Sequence, residues 1–225
     1  MESEVYNIDC LEYMRGLPDN AFALAIADPP YEIGTGNVNK SKSTYSGAGK
    51  LRGRVLNQQA AKFYEWDKAP KKEFFDELRR ISENVIIWGG NYFDLPPTRC
   101  IICWDKVQPW ENFSQVEIAW TSFDYPAKLY KFDNRTNDKI HPTQKPVDLY
   151  GWCLRTFAKP GDRIFGPMMG SQSSRIAAYK MGFDYVGCEL DKEYFDKGCE
   201  RFAKECLGEH HHKDGTIVIE QSLFG

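Results

Sequence analysis

The chain has 225 residues, which is long enough to bury a substantial core and usual for one domain. An apolar fraction of 42% and a charged fraction of 27% are ordinary for a soluble globular protein. No apolar run approaches the roughly 20 residues of a membrane span, and the acidic start of the chain is unlike a signal peptide. Seven cysteines scattered through apolar segments fit reduced thiols, so we expect a cytoplasmic protein with no membrane partner.

Strand-like and helix-like segments alternate along the chain. The predicted strands cover residues 5–8, 23–27, 85–88, 101–104, 116–120, 128–132, 163–165 and 185–188. The predicted helices cover residues 9–17, 71–82, 146–158, 173–181 and 191–206. Strands alternating with helices indicate an α/β fold in which helices cover both faces of a mostly parallel sheet.

A short acidic and aromatic motif follows the second predicted strand. Asp28-Pro29-Pro30-Tyr31 comes directly after an apolar run that ends at Ala27. Ligand and catalytic groups of open α/β sheets sit at that end of the strands, and two prolines hold a stiff backbone with free carbonyls. An acid, a free carbonyl and a flat ring suit a planar heterocycle that carries an amino group. An ordinary Pro-Pro turn is the alternative when the four residues are taken alone.

A second motif, His141-Pro142-Thr143-Gln144-Lys145-Pro146, stands directly before a predicted helix. The first turn of a helix binds anions through its free N–H groups and the helix dipole. The hydroxyl of Thr143 and the cation of Lys145 add two groups that suit a carboxylate. The alternative is structural, with Thr143 capping a helix that begins with Pro146.

A third segment has the layout of a nucleoside-binding β-α-β unit. Residues 161–174 are predicted to form a strand, a loop with Gly170 and the start of a helix. The next predicted strand ends at Glu189, whose carboxylate is placed to bind ribose hydroxyls. The alternative for Glu189 is an acid at the N-terminus of the helix that begins near Asp191.

Together these three motifs resemble the beta group of DNA amino-methyltransferases, which methylate adenine N6 or cytosine N4 with S-adenosylmethionine. Their order is the permuted order of that group, with the catalytic motif first and the glycine loop last. The similarity runs from about Tyr6 to Phe202. It includes four shorter segments, residues 7–10, 88–93, 104–106 and 117–122. The resemblance implies an α/β, Rossmann-like fold of the S-adenosylmethionine-dependent methyltransferases.

The resemblance also implies roles for individual residues. The catalytic residues are Asp28, Pro29, Pro30 and Tyr31. The residues around S-adenosylmethionine are Asp9, Cys10, Asp28, Thr143, Lys145, Gly166, Met168, Gly170, Ser171, Glu189 and Leu190. In this chemistry Asp28 and the Pro29 carbonyl accept the hydrogens of the target amine, Tyr31 stacks on the base, and no metal is needed.

The glycine loop departs from the family pattern at two positions. Relatives usually carry Asp where this chain has Gly166, and a second glycine where it has Gln172. The lost acid removes a partner for the ammonium group of the cofactor, and the Gln172 side chain is expected to crowd the methionine portion. On this reasoning, Gly166→Asp combined with Gln172→Gly tightens cofactor binding.

A basic segment is the expected contact to double-stranded DNA. Residues 33–64 contain no acid and are rich in Gly, Ser, Thr and Asn. This composition predicts a mobile loop that docks on phosphates, with a solvated loop that binds nothing as the alternative. The DNA-binding residues expected from it are Lys40, Lys42, Lys50, Arg52 and Arg54, joined by Trp110 and Phe113 from a second polar loop.

The expected organisation is one methyltransferase domain over residues 1–225, with a short C-terminal tail from about residue 207. The acid of the catalytic motif favours adenine N6, since cytosine-N4 relatives more often carry Ser there, and the resemblance implies a role in restriction–modification. The alternatives are a cytosine-N4 enzyme and a catalytically impaired relative that binds DNA or another partner; a homodimer is left open. No metal is expected, and the three histidines at 210–212 predict an exposed polar turn.

Overall fold

The computed structural model describes residues 1–32, 68–109, 114–133, 140–141, 143–211 and 217–219. The strands are β1 (Ser3–Tyr6), β2 (Phe22–Ala27), β3 (Ser82–Trp88), β4 (Ile101–Asp105), β5 (Val116–Thr121), β6 (Lys128–Lys131), β7 (Arg163–Gly166), β8 (Asp184–Cys188), β9 (Glu209–His211) and β10 (Ile217–Ile219). The α-helices are α1 (Cys10–Arg15), α2 (Lys72–Arg80), α3 (Val147–Phe157), α4 (Ser173–Lys180) and α5 (Lys192–Phe202). A 3₁₀ turn at Gly90–Tyr92 follows β3, and a π-helical turn at Ala203–Leu207 extends α5.

Eight of the described strands form one sheet in the order β1-β8-β7-β2-β3-β5-β4-β6. The pairings β1–β8, β8–β7, β7–β2, β2–β3 and β4–β6 are parallel, and β5 pairs antiparallel with both of its neighbours. Within this sheet β5 is therefore the one strand that runs against the rest. Its beginning lies at the edge where the parallel strands end.

Both faces of the sheet are covered, as the central strand β2 shows, which is apolar at every position. Along β2, Leu24 and Ile26 belong to one cluster of buried residues, and Ala25 and Ala27 belong to the other. The first cluster contains residues of α3 and α4, and the second contains residues of α1 and α2. Strands with no polar face are typical of a parallel sheet between two helical layers. The predicted α/β fold class is confirmed.

Several predicted boundaries differ from the structure by a few residues, and the first strand is displaced as a whole. The first strand lies at Ser3–Tyr6 and not at residues 5–8, because its register with β8 ends where Tyr6 pairs with Cys188. Beyond that point, the Asn7 side chain donates to the carbonyl oxygens of the residues that follow β8. The histidine-rich segment also differs from the predicted polar turn, since β9 and β10 pair antiparallel there.

No described helix is both long enough and apolar enough to cross a membrane. All seven cysteines are free thiols, in agreement with the reduced state predicted from their scatter through apolar segments. Burial raises the pKa of the Cys10 thiol to about 12, so it stays protonated at neutral pH.

Helix α2 provides a test of the second core cluster. Its apolar residues recur at helical spacing, and Phe74, Phe75 and Leu78 are all buried against the sheet. Leu78→Ala removes a fully buried side chain, so the free energy of unfolding should fall by about 2–5 kcal/mol. Lys72→Ala on the exposed face of the same helix should change it by less than about 0.5 kcal/mol. Urea denaturation of both variants measures the difference, and equal effects would contradict the packing described here.

Candidate active site

The predicted catalytic acid stands at the end of the central strand β2. Asp28 follows Ala27 directly, and Tyr31 turns back so that its hydroxyl lies 2.9 Å from Asp28 Oδ1. This turn requires a glycine at the end of β3, because a Cβ on Gly89 would lie 2.2 Å from the Tyr31 ring. Gly89 also has φ of +67°, a conformation in which glycine is favoured.

Lys145 lies among the acids of this site. Its ammonium forms ion pairs with Asp28 Oδ1 and, at 2.8 Å, with Glu117 Oε1. The Lys145 side chain is only 4% exposed, so both pairs are shielded from water. The Tyr31 hydroxyl lies 2.8 Å from the same Glu117 oxygen, and its single proton can serve either carboxylate.

A second lysine completes the arrangement. Lys106 Nζ lies 2.8 Å from Glu117 Oε2, so each oxygen of this carboxylate has its own ammonium partner. Asp28, Lys145, Glu117 and Lys106 therefore form a chain of alternating charges, which we call the ion cluster. Two negative and two positive charges balance within it, and this balance is what makes its burial tolerable.

The ion cluster shifts the proton affinities of its members. Burial raises the pKa of Glu117, but the Lys145 and Lys106 ammoniums outweigh it and bring the value to about 2. Burial lowers the pKa of Lys145, and the two carboxylates outweigh it in turn, so the pKa lies above its usual value. Burial raises the pKa of Asp28, against the opposing pull of Lys145. At neutral pH, Lys145 is a cation and Glu117 an anion.

Aromatic rings extend from the ion cluster to the surface. The Tyr31 ring stacks on Tyr92 at a centroid distance of 5.1 Å, and Phe93 meets the Tyr31 ring edge-on at 6.1 Å. Tyr92 is 49% exposed, so this aromatic stack reaches solvent beside Asp28. The arrangement offers flat apolar surface next to a carboxylate, which suits a planar base.

The predicted ribose acid lies at the end of β8. Glu189 Oε2 accepts from the N–H of Gly170 at 2.7 Å, and Oε1 accepts from the N–H of Asp191 at 2.9 Å. A carboxylate has about four acceptor positions, so each oxygen keeps one for another donor. Asp191 itself caps α5 through the N–H groups of the first turn, so the capping role falls to Asp191. Leu190, next to Glu189, is 69% exposed.

The other residues predicted to contact the cofactor are spread around this edge of the sheet. Asp9 caps α1 and accepts from the N–H groups of Leu11 and Glu12, while Cys10 is buried behind it. Thr143 bonds the ring of His141 and does not cap α3, whose N-cap is Pro146, so the structural alternative for Thr143 is wrong. Two more predicted residues belong to the glycine loop, where Ser171 is buried and Met168 is half-buried.

Gly166 has a steric partner on the neighbouring strand. A Cβ at Gly166 would lie 2.0 Å from the Tyr185 hydroxyl oxygen and 2.9 Å from the ring carbon that carries it. Tyr185 is buried, and its hydroxyl bonds Ser174 Oγ at 2.8 Å. The Tyr185 side chain therefore occupies the space that an acid at residue 166 would need.

The expected crowding by Gln172 is wrong, because its side chain packs away from the loop against α5. Its amide donates to the Phe195 carbonyl at 3.3 Å and accepts from Arg175 at 2.9 Å. Gln172 is fully buried and keeps a left-handed backbone with φ of +59°, the conformation for which a glycine is usual. The side chain is thus accommodated on the side of the loop that faces α5.

Sequence reasoning missed Glu117 as a site residue, along with Lys106. Both fall in segments that share the family resemblance, but nothing in the residues themselves indicates which end of the sheet they face. An acid in an otherwise apolar strand is the one available signal. The residues predicted to bind DNA, Lys40, Lys42, Lys50, Arg52, Arg54, Trp110 and Phe113, lie outside the described part of the chain. Among the described residues, no three His, Cys, Asp or Glu side chains are grouped as metal ligands.

Comparison with known families identifies the architecture around this site. The family model described as DNA methylase matches residues 61–200, which is more than half of the chain. The chain belongs to the DNA methylase family. The predicted resemblance is thereby confirmed. The matched range includes Glu117, Lys145 and Glu189.

Individual DNA methylases are similar over most of the chain. The type II methyltransferase M2.MboI of Moraxella bovis is 22% identical over 241 aligned residues, covering 88% of this chain and 86% of its own. The PvuII DNA methyltransferase, described as cytosine-N4-specific, superimposes with a TM-score of 0.59 at 14% identity, covering 88% of this chain and 86% of its own. The complex of M1.HpyAVI with S-adenosylmethionine has a TM-score of 0.51 at 18% identity, covering 88% and 98%. At these identities, the two structures establish the shared fold.

The fit between Gly166 and Tyr185 predicts that an introduced acid costs stability, while its effect on cofactor binding stays a prediction. Gly166→Asp places a side chain against the buried Tyr185 hydroxyl, so it should destabilise the protein by about 1–3 kcal/mol through overpacking alone. Thermal or urea unfolding measures this loss, with Gly16→Asp as a control, because Gly16 has φ of −82° and a Cβ there would meet only the Tyr13 carbonyl oxygen, at 3.6 Å. Wild-type stability in Gly166→Asp would show that Tyr185 moves aside freely.

Proposed function

We propose that this protein is a DNA methyltransferase that transfers a methyl group from S-adenosylmethionine to adenine N6. The observation that carries the proposal is the position of Asp28, at the end of the central strand, between the Lys145 ammonium and the stack of Tyr31 on Tyr92. A carboxylate beside a flat aromatic surface is what recognition of an amino-bearing base requires. Membership of the DNA methylase family supplies the reaction class.

The chemistry follows from the weak nucleophilicity of an aromatic amine. The target base leaves the duplex and enters the site, since its amino group is out of reach inside the stack. Asp28 accepts one hydrogen of that amine and the carbonyl of Pro29 accepts the other. These bonds draw the nitrogen toward tetrahedral geometry and stabilise the positive charge that develops on it. Lys145 is a donor to Asp28 and favours its carboxylate form, in opposition to the burial that raises the Asp28 pKa.

The residues at the end of β8 fit the nucleoside part of S-adenosylmethionine. Glu189 keeps two acceptor positions for a ribose diol, and exposed Leu190 offers apolar surface for an adenine. When bound, the cofactor supplies an electrophilic methyl group on a sulfonium. Gly166 offers no carboxylate to its ammonium group, so other groups must hold that end.

Adenine is preferred over cytosine on the basis of one residue. The acid at Asp28 is typical of adenine-N6 relatives, whereas cytosine-N4 relatives more often carry Ser. The PvuII enzyme described as cytosine-N4-specific shares the fold at 14% identity, and a shared fold does not carry base preference.

A second candidate function is favoured by the glycine loop. Tyr185 fills the space of the acid that relatives carry, which fits a catalytically impaired protein that binds DNA without methylating it. The complete ion cluster around Asp28 argues against this second candidate, because DNA binding alone does not require it. Methyl transfer by the wild-type protein decides between the two candidates.

Removal of the catalytic acid is the direct test of the proposal. Asp28→Ala and the isosteric Asp28→Asn should abolish methyl transfer from tritiated S-adenosylmethionine in single-turnover assays, while DNA affinity stays near wild type. Asp124→Asn, an exposed acid past the end of β5, should keep full activity. A rate within about tenfold of wild type, or about 1.4 kcal/mol in the barrier, in either Asp28 variant would exclude the proposed role.

The basic segment provides a separate test of DNA binding. Replacing Lys50, Arg52 and Arg54 with Ala should weaken binding to all DNA sequences similarly. Each ion pair with a phosphate that is removed should lower the log–log salt slope by about 0.9. The matched control replaces three exposed lysines on α2 and α5, Lys72, Lys192 and Lys197. Titrations at several salt concentrations measure both slopes, and an unchanged slope in the loop variant would show that the segment does not meet the DNA backbone.

A further inference from the structure

We infer that Glu117 is a positioning residue for methyl transfer: it holds Lys145 and Tyr31 on one oxygen of Asp28, so that the other oxygen is presented to the target amine. This inference rests on the proposed function and adds a residue that the family motifs do not assign. It concerns an acid on β5, the strand that runs against the rest of the sheet.

The contacts of Asp28 are one-sided. Both of its hydrogen-bonding partners in the described part of the chain, Lys145 Nζ and the Tyr31 hydroxyl, bind Oδ1. Those two donors fill the two acceptor positions of that oxygen. No described residue bonds Oδ2, so Oδ2 is the acceptor that remains for an amine. An Asp side chain rotates easily about its last bond, and two donors on one oxygen fix that rotation.

Glu117 lies against both of these groups through a single atom, which binds the Lys145 ammonium and shares the one Tyr31 proton with Asp28 Oδ1. Its Oε1 lies 2.8 Å from Lys145 Nζ and 2.8 Å from the Tyr31 hydroxyl, which are themselves 3.1 Å apart. Without Glu117, the Lys145 ammonium has one carboxylate partner and is free to sit between the two Asp28 oxygens. The amine and the ammonium would then compete for the same acceptor.

Glu117 is itself well fixed. Its Oε2 pairs with Lys106, and its backbone lies in the β4–β5 ladder opposite Trp104. Directly after it, the carbonyl of Ile118 accepts from the N–H of Gly89 at 2.8 Å, which ties β5 to the glycine beneath the Tyr31 ring. The rigid strand β5 thus sets the position of Asp28 through the side chains of Lys145 and Tyr31. Errors of about 1 Å at a reacting group cost on the order of 100-fold in rate.

Glu117→Gln tests the inference because it keeps the shape and removes the charge. The single-turnover rate of methyl transfer should fall about 100-fold, with the KM for DNA and the dissociation constant of S-adenosylmethionine within about twofold of wild type. Asp124→Asn, with the same loss of charge at an exposed site, should keep the wild-type rate. A rate within about threefold of wild type in Glu117→Gln overturns the inference, and so does a loss carried by KM alone.

Coupling to Lys145 separates positioning from a general structural role. If Glu117 acts through Lys145, the double variant Glu117→Gln with Lys145→Met should be within about threefold of Lys145→Met alone. Rate losses that multiply would show that the two side chains act independently and would overturn the inference.

Two further outcomes have a defined meaning. Should Glu117→Gln fail to fold, Glu117→Gln with Lys106→Met removes one negative and one positive charge together, keeps the ion cluster neutral, and must show the same loss of rate. The failure of the proposed function would look different: the wild-type protein would not methylate DNA at all, or Asp28→Asn would remain active. An active wild type with an inactive Asp28→Asn and a fully active Glu117→Gln rejects only the role of Glu117.

Discussion

The site depends on the ion cluster, a buried chain of alternating charges. The cost of burying each charged group is offset by its oppositely charged neighbour. Taking a carboxylate or an ammonium out of water costs several kcal/mol, and close pairing with hydrogen bonds offsets that cost. Asp28 comes from the end of β2, Lys145 from the segment before α3, Glu117 from β5 and Lys106 from the residue after β4. Four separate parts of the chain must therefore come together before the ion cluster can form. The active site thus exists only in the complete fold.

The reversed strand explains how the second acid reaches this place. In a fully parallel sheet, a residue near the beginning of a strand lies at the edge opposite the ligands. Because β5 runs the other way, Glu117, its second residue, lies beside Gly89 at the end of β3. The same reversal places Trp120 against Gly90, where a Cβ would lie 2.4 Å from the Trp120 Cβ. Gly89 and Gly90 thus let the backbone pass close to Tyr31 on one side and to Trp120 on the other.

Much of this arrangement is readable from the sequence. Alternating apolar segments predict the sheet and its two helical layers, and the motifs around Asp28, Lys145 and Glu189 predict which strand ends carry the site. The direction of β5 is not readable, because the residue pattern of a six-residue strand is the same for a parallel and an antiparallel neighbour. Glu117 was missed for that reason. The surroundings of Gly166 depend on a side chain two positions along a neighbouring strand, a relation that only the register of β7 with β8 provides.

The pairing of Gly166 with Tyr185 has a consequence for the order in which mutations can accumulate. While Tyr185 is present, an acid at residue 166 lacks space, so accommodating it needs a smaller residue at 185, which leaves Ser174 without its hydroxyl partner. Such an intermediate carries a cavity and gains nothing until the second change. The two positions are thus coupled, and we expect them to tolerate a joint change better than a change at either one alone.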